Sequence, residues 1–245
     1  MTPRQSRLVR VSLLCGIVSS LLYAAMNVFV AAQWDSYSSA SQTVSELSAV
    51  GAPTRPLWVS LAIVYSLLVA AFGWGVWMSG RRKRPLRIVG GLIVATALIG
   101  LAWPPMHQRS VLAAGGGSLT DTLHIVWTIV TNLLFMLQIG FAAASFGKRF
   151  RLYSVTTMVA LVAFGALTGM DAPRMEANLP TPWIGVWERI GIGVFMLWVV
   201  VLATTLLRTQ RRELTTYPQP GRAAACRIHF DNRASSSWSP SRMSR

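Results

Sequence analysis

Residues 11–32 read VSLLCGIVSSLLYAAMNVFVAA, a stretch without a single Asp, Glu, Lys or Arg. As a helix rising 1.5 Å per residue it would be about 33 Å long, enough to cross the roughly 30 Å hydrocarbon layer of a bilayer. Five more runs of the same kind follow at 57–80, 88–106, 125–147, 152–170 and 190–207. Lipid offers no partner to a backbone N–H or C=O, so only helices or a closed barrel can cross it, and barrel strands would alternate in polarity. The runs are continuously apolar. The chain is therefore predicted to be an all-α integral membrane protein, a bundle of six transmembrane helices.

The composition agrees. Of 245 residues 53% are hydrophobic and only 13% charged, where a soluble domain would carry about 25% charged residues. Disorder and an ordinary water-soluble enzyme are both excluded. Orientation follows from the basic residues: all of the 23 Lys and Arg except Arg55, Arg109, Arg174 and Arg189 fall before the first run, between the second and third, between the fourth and fifth, or after the sixth. The positive-inside rule places that side, with both termini, in the cytoplasm. The expected location is the inner (plasma) membrane. The formal charge of +15 is then mainly a topology signal. No nucleic-acid partner is expected, because the basic residues are spread over four segments instead of gathered on one surface. The first run is too long for the 7–15 residue core of a cleaved signal peptide, so it is read as a retained anchor.

Three regions result: a cytoplasmic start at 1–10, a membrane domain at 11–208 and a basic tail at 209–245. The tail, rich in Arg and Ser without periodicity, is read as disordered. Outer loops are expected at about 33–56, 105–122 and 171–187. In the first, Thr43-Val44-Ser45-Glu46 has the spacing of a capping box and Gly51 stands where a helix would stop, so a short interfacial helix is predicted over 44–50. Before the sixth helix, Thr181-Pro182 reads as an N-cap with Pro at the first helical position. Small residues four apart, Gly16 with Ser20 and Gly165 with Gly169, mark expected close helix contacts.

The segment Asp35-Ser36-Tyr37, followed by Thr43-Val44-Ser45-Glu46-Leu47-Ser48-Ala49-Val50-Gly51-Ala52-Pro53, resembles a bacterial membrane family catalogued as domain of unknown function 998. His124 at the start of the fourth run and Glu188-Arg189 at the start of the sixth extend the resemblance. It covers roughly residues 8 to 208 and implies about six helices. It carries no catalytic roles, because the family has no assigned activity.

The candidate chemistry lies on the outer side. Asp121, His124, Thr128, Thr131 and Gln138 recur at helical spacing, with Asn132 beside them, and a polar stripe of this kind should face the bundle interior or a wet cavity. Ser20, Tyr23 and Asn27 form a shorter stripe in the first helix. Asp121 and His124, three apart, are the candidate catalytic pair, since a carboxylate can orient an imidazole for base catalysis or metal ligation. With His107 they are also the candidate metal ligands, and Glu46 lies on the same side. The plainer reading is that Asp121 favours a helix start and His124 links helices. Ser45 with His107 or His124 supplies the residue types of a nucleophile and base, a weak signal. Arg189 can hold a lipid phosphate, pair with an outer-loop acid or snorkel, and Glu188 can complement the helix start.

The leading functional expectation is non-enzymatic: an outward-facing polar pocket, with Glu46, His107, Asn132, Glu188 and Arg189 as binding candidates, for a small amphiphile, membrane lipid or partner protein. No cofactor is expected under that reading. The alternatives are a metal-assisted hydrolase, which would need zinc, and a small transporter, which would need a polar route across the bilayer.

Overall fold

The computed structural model describes residues 2–80 and 83–216. Its α-helices are α1 (Pro3–Ala31), α2 (Arg55–Ser79), α3 (Arg84–Leu101), the short α4 (Arg109–Ala113), α5 (Leu119–Ala143), α6 (Lys148–Glu176) and α7 (Ile184–Thr216). All but α4 are long and apolar enough to cross a membrane. The six-helix expectation holds, and the chain is a multi-pass membrane protein.

α1, α6 and α7 outrun their apolar runs because hydropathy marks the lipid-facing length, not the helical length, whereas α3 and α5 stop four or five residues short of where their runs end. α1 begins eight residues earlier than its run, with Thr2 and Gln5 forming a capping box. It carries Arg4, Arg7 and Arg10, residues that favour helix and whose stems can lie along apolar surface. α6 extends past its run through Asp171 to Glu176, with Pro173 in its last turns. It ends at Asn178, whose φ is 53°; the N–H of Leu179 reaches Arg174 O at 2.8 Å and that of Asn178 reaches Met175 O at 3.0 Å. This is a Schellman stop with Asn in the left-handed position. The third loop is therefore much shorter than expected. α7 continues beyond 208 to Thr216, and the remainder of the expected disordered tail lies outside the described residues.

The described residues up to Leu206 form one compact unit. Within it α2 packs between α1 and α3, α3 meets α5, and α5 meets α6. α7 touches three of them. Trp198 Nε1 donates to Ser154 Oγ of α6 at 3.1 Å, Ser20 Oγ of α1 donates to Met196 O at 3.3 Å, and Phe195 stacks on Phe135 of α5 at 3.7 Å. Leu21, Val28, Leu152 and Met170 stay more than 60% exposed. In water that would be a liability, but lipid tails are as apolar as Leu.

Of the two small-residue pairs, Gly16 with Ser20 does mark close helix contacts and Gly165 with Gly169 does not. A Cβ on Gly16 would strike the Phe72 ring, yet Gly165 and Gly169 face open space. The tightest seam is α2 on α3, where a Cβ on Gly73 or Gly90 would meet the other helix's backbone. The sequence signal for a Gly pair within one helix says nothing about which neighbour is near.

At one end of the bundle, three loops (32–54, 102–118 and 177–183) fold over the helices; this is called the loop end below. The first contains a 3₁₀ helix, Val44–Ser48, with the expected Thr43–Glu46 capping box. It is tighter and shorter than the helix predicted over 44–50. Val44 and Leu47 are driven inward with Met26 and Val30 of α1 and Trp58 of α2. Gly51 turns the chain at φ +82°, a conformation only glycine adopts freely. Val50 N–H then donates to Met106 O at 2.8 Å, tying the first loop to the second.

Candidate functional site

The loop end gathers most of the polar residues singled out above, and it is organised around arginines. Glu46 is only 2% exposed. Its carboxylate takes a paired contact from Arg109, Nε to Oε1 at 2.7 Å and Nη2 to Oε2 at 2.8 Å. Oε2 also accepts Thr43 N–H at 2.7 Å and the Thr43 hydroxyl at 3.1 Å. Arg109 further donates to Ser41 O at 3.1 Å and Thr181 Oγ1 at 3.2 Å, and Thr181 donates to Ser41 O at 2.9 Å. One guanidinium thus joins all three loops. Thr181 is spent on this junction and does not cap α7, contrary to the Thr-Pro reading.

Arg189, on the first turns of α7, is held differently. Nη1 donates to Ser39 O at 2.8 Å, Gln42 O at 3.0 Å and its own helix's Gly185 O at 3.0 Å. Nη2 donates to the Tyr37 hydroxyl, and the guanidinium lies over the Tyr37 ring, 5.7 Å from its centre. Burial pushes the Tyr37 phenol up to about 12, against the pull of Arg189. It therefore stays protonated and donates to Thr43 O at 2.8 Å. Glu188 turns to another part of the loop and accepts Val44 N–H at the start of the 3₁₀ helix. Among the described residues the ion pairs are Glu46–Arg109 and His107–Asp121, so no carboxylate touches Arg189, although Glu188 interacts with it through space. Of the roles open to Arg189, contact with an outer-loop acid is not seen among the described residues.

The α5 candidates separate. Asp121 closes the capping box of α5 with Ser118 and accepts from His107 twice, its backbone N–H at 2.6 Å and Nδ1 at 2.9 Å. His124, 8% exposed, goes elsewhere. Its Nδ1 meets Pro104 O at 2.7 Å and its Nε2 meets Ser45 Oγ at 3.2 Å. A carbonyl can only accept, so Nδ1 carries the proton and Nε2 accepts from the serine hydroxyl. Asp121, His124 and His107 do not converge, and among the described residues no three His, Cys, Asp or Glu are arranged to hold a metal ion.

Further along α5 the stripe divides. Thr131 and Gln138 are buried, and Gln138 Nε2 donates to Thr96 Oγ1 of α3 at 2.8 Å. The space beside it is about 20 Å³, bordered also by Ser19 and Tyr65, room for about one water. Thr128 and Asn132 are exposed and bond carbonyls of their own helix. At Gln138 the stripe is a seam between α5 and α3 beside a space too small for a ligand, and the exposed Asn132 does not join the other binding candidates.

A larger cleft lies between α1, the first loop and α7. It measures about 370 Å³ and is lined by Asn27, Val28, Ala31, Ala32, Ser39 and Arg189. The Oδ1 of Asn27 is buried without a hydrogen-bond partner, while its Nδ2 donates to Tyr23 O at 3.0 Å. Sequence reasoning singled out Arg189 and noted Asn27, but it missed Arg109 and Tyr37. A signal for Arg109 existed: a buried acid requires a cation, and only four arginines lie on that side of the bundle.

No curated protein and no solved structure matches this chain. The family described as Protein of unknown function (DUF998) matches residues 17–205, and the chain belongs to that family.

Proposed function

We propose that this membrane protein binds an anionic amphiphile, with a phosphate ester headgroup on Arg189 and apolar chain against Val28, Ala31 and Ala32. One observation carries the reading: a half-buried guanidinium, locked in place by three carbonyls and a phenol and touched by no carboxylate, borders an open cleft. Carbonyl dipoles orient such a charge but leave it uncancelled, and guanidinium is well suited to phosphate. The unpartnered Oδ1 of Asn27 in the same cleft favours a headgroup that also offers an O–H or N–H, as glycerol and ethanolamine headgroups do and choline does not. Among the described residues no three His, Cys, Asp or Glu gather as a metal-assisted hydrolase would need, and the transporter reading has only a divided polar stripe behind it.

The test is native mass spectrometry of the detergent-purified protein titrated with phosphatidylglycerol and, separately, phosphatidylcholine. Phosphatidylglycerol should bind more tightly, and Arg189→Gln should weaken it about tenfold, the equivalent of losing one charge-assisted hydrogen bond. Because Arg189 also holds the first loop, Ala32→Trp supplies a second variant that fills the cleft without touching those bonds. Equal affinity for the two lipids, or undiminished binding in a folded Ala32→Trp protein, would overturn the proposal.

A further inference from the structure

Of the polar side chains in the Thr43–Ser48 segment, most are committed to holding the segment itself. Thr43 and Glu46 form its capping box, Glu46 is clamped by Arg109, and Ser48 Oγ donates back to Ser45 O at 2.9 Å. Glu188 secures the backbone at Val44. Ser45 sits between two anchored neighbours, and its hydroxyl reaches across to His124 on α5.

The arrangement around His124 is that of a general base. Its Nδ1–H is committed to Pro104 O, which fixes the tautomer and leaves the Nε2 lone pair facing Ser45 Oγ. This is the relation that makes a serine nucleophilic in acyl transfer, with a carbonyl in place of the more usual carboxylate as the orienting group. Asp121, one turn earlier on α5, is engaged by His107 and does not touch the imidazole of His124. At 3.2 Å the contact is long for a tight hydrogen bond, as resting nucleophile–base pairs commonly are before substrate closes the site.

We propose that Ser45 and His124 form an acyl-transfer centre for carboxylic esters of amphiphiles that reach the loop end from the membrane. Ser45 Oγ attacks the ester carbonyl as its proton passes to His124 Nε2. The bond to the leaving alcohol breaks, and His124 returns the proton to that alcohol, leaving an acyl–Ser45 ester. Water, deprotonated by the same nitrogen, then releases the carboxylic acid and regenerates the serine. Pro104 is the positioning residue. The centre shares no residue with the Arg189 cleft and stands or falls independently of lipid binding there.

A fluorophosphonate probe tests it on the full chain in detergent micelles. The Ser45 Oγ–P bond forms, the P–F bond breaks, fluoride leaves and His124 takes the proton. Peptide mapping should find the adduct on Ser45, and Ser45→Ala, a mild change, should abolish it. His124→Gln should slow labelling at least about 100-fold, the lower end of what a general base contributes, and should remove the rise in rate with pH that an imidazole base imposes. If His124→Gln fails to fold, Ser45→Cys reports in its place. A thiol activated by His124 should alkylate with a midpoint below the ordinary cysteine range of about 8.5. A folded wild-type protein without an adduct on Ser45 overturns the proposal. So does labelling indifferent to His124, or an ordinary thiol midpoint in the Ser45→Cys protein.

Discussion

Two arginines at the loop end illustrate opposite uses of a charge removed from water. Arg109 lies against a carboxylate that is itself almost wholly buried, and each ion neutralises the other. Arg189 is held by dipoles, three carbonyls and a phenol, and the neighbouring Glu188 carboxylate acts on it through space without touching it. Desolvating a guanidinium costs several kcal/mol in either setting. At Arg109 the cost is offset by a partner within the protein, which leaves the residue nothing to offer a ligand. At Arg189 it is offset only in part, and the remaining field extends into a cleft of about 370 Å³. The first arginine joins loops and the second is available for recognition.

The largest effect should come from breaking the neutral member of the pair. Arg109→Ala leaves Glu46 buried without its cation and should lower stability by about 3–5 kcal/mol, the usual cost of orphaning a buried charge. The measurement is thermal or denaturant unfolding in detergent. Arg109→Ala with Glu46→Ala should recover part of that loss, because the double change removes the stranded carboxylate, and the cycle isolates the coupling. A single variant within about 1 kcal/mol of wild type would mean that Arg109 is no more structural than Arg189, and the contrast would collapse.

Gly185 sharpens the other side. A Cβ there would collide with the carbonyls of Ser39 and Gln42, the same groups that hold Arg189. Gly185→Ala should therefore cost about 1–3 kcal/mol in unfolding experiments, as overpacking does. It should also weaken phosphatidylglycerol binding, because the guanidinium loses its cradle. A stability loss with unaltered lipid affinity would show that the cradle does not set the site.

Much of this fold is legible from residue order alone. Six uncharged runs require six helices because lipid leaves backbone groups no alternative, and Thr43–Glu46 announces its capping box by spacing. What stays hidden depends on pairs distant in sequence. Glu46 meets Arg109 and His124 meets Ser45 across separations of 63 and 79 residues, and nothing local marks either pairing. Asp121 and His124, adjacent on one face, invite a joint role, yet the second loop brings His107 to Asp121 and Pro104 to His124 and divides them. Thr181-Pro182 looks like a cap, but a hydroxyl equally suits the arginine the fold places beside it. Helical spacing also cannot tell a seam from a pocket, because both require the same polar face.

That last ambiguity yields the smallest predicted effect and the cleanest way to locate recognition. If a ligand used the α5 stripe, both Asn132 and Gln138 would matter to it. The structure separates them: Asn132 is exposed and bonds within its own helix, while Gln138 is buried against Thr96. Asn132→Leu, which replaces an exposed amide with an apolar side chain suited to lipid, should alter stability by no more than about 0.5 kcal/mol. Gln138→Leu should cost about 1 kcal/mol through the lost link to α3. Neither should change phosphatidylglycerol affinity, which the Arg189 cleft alone would govern. A drop in affinity with Asn132→Leu at unchanged stability would move recognition from Arg189 to the outer face of α5, and Arg189 would then join Arg109 as a purely structural charge.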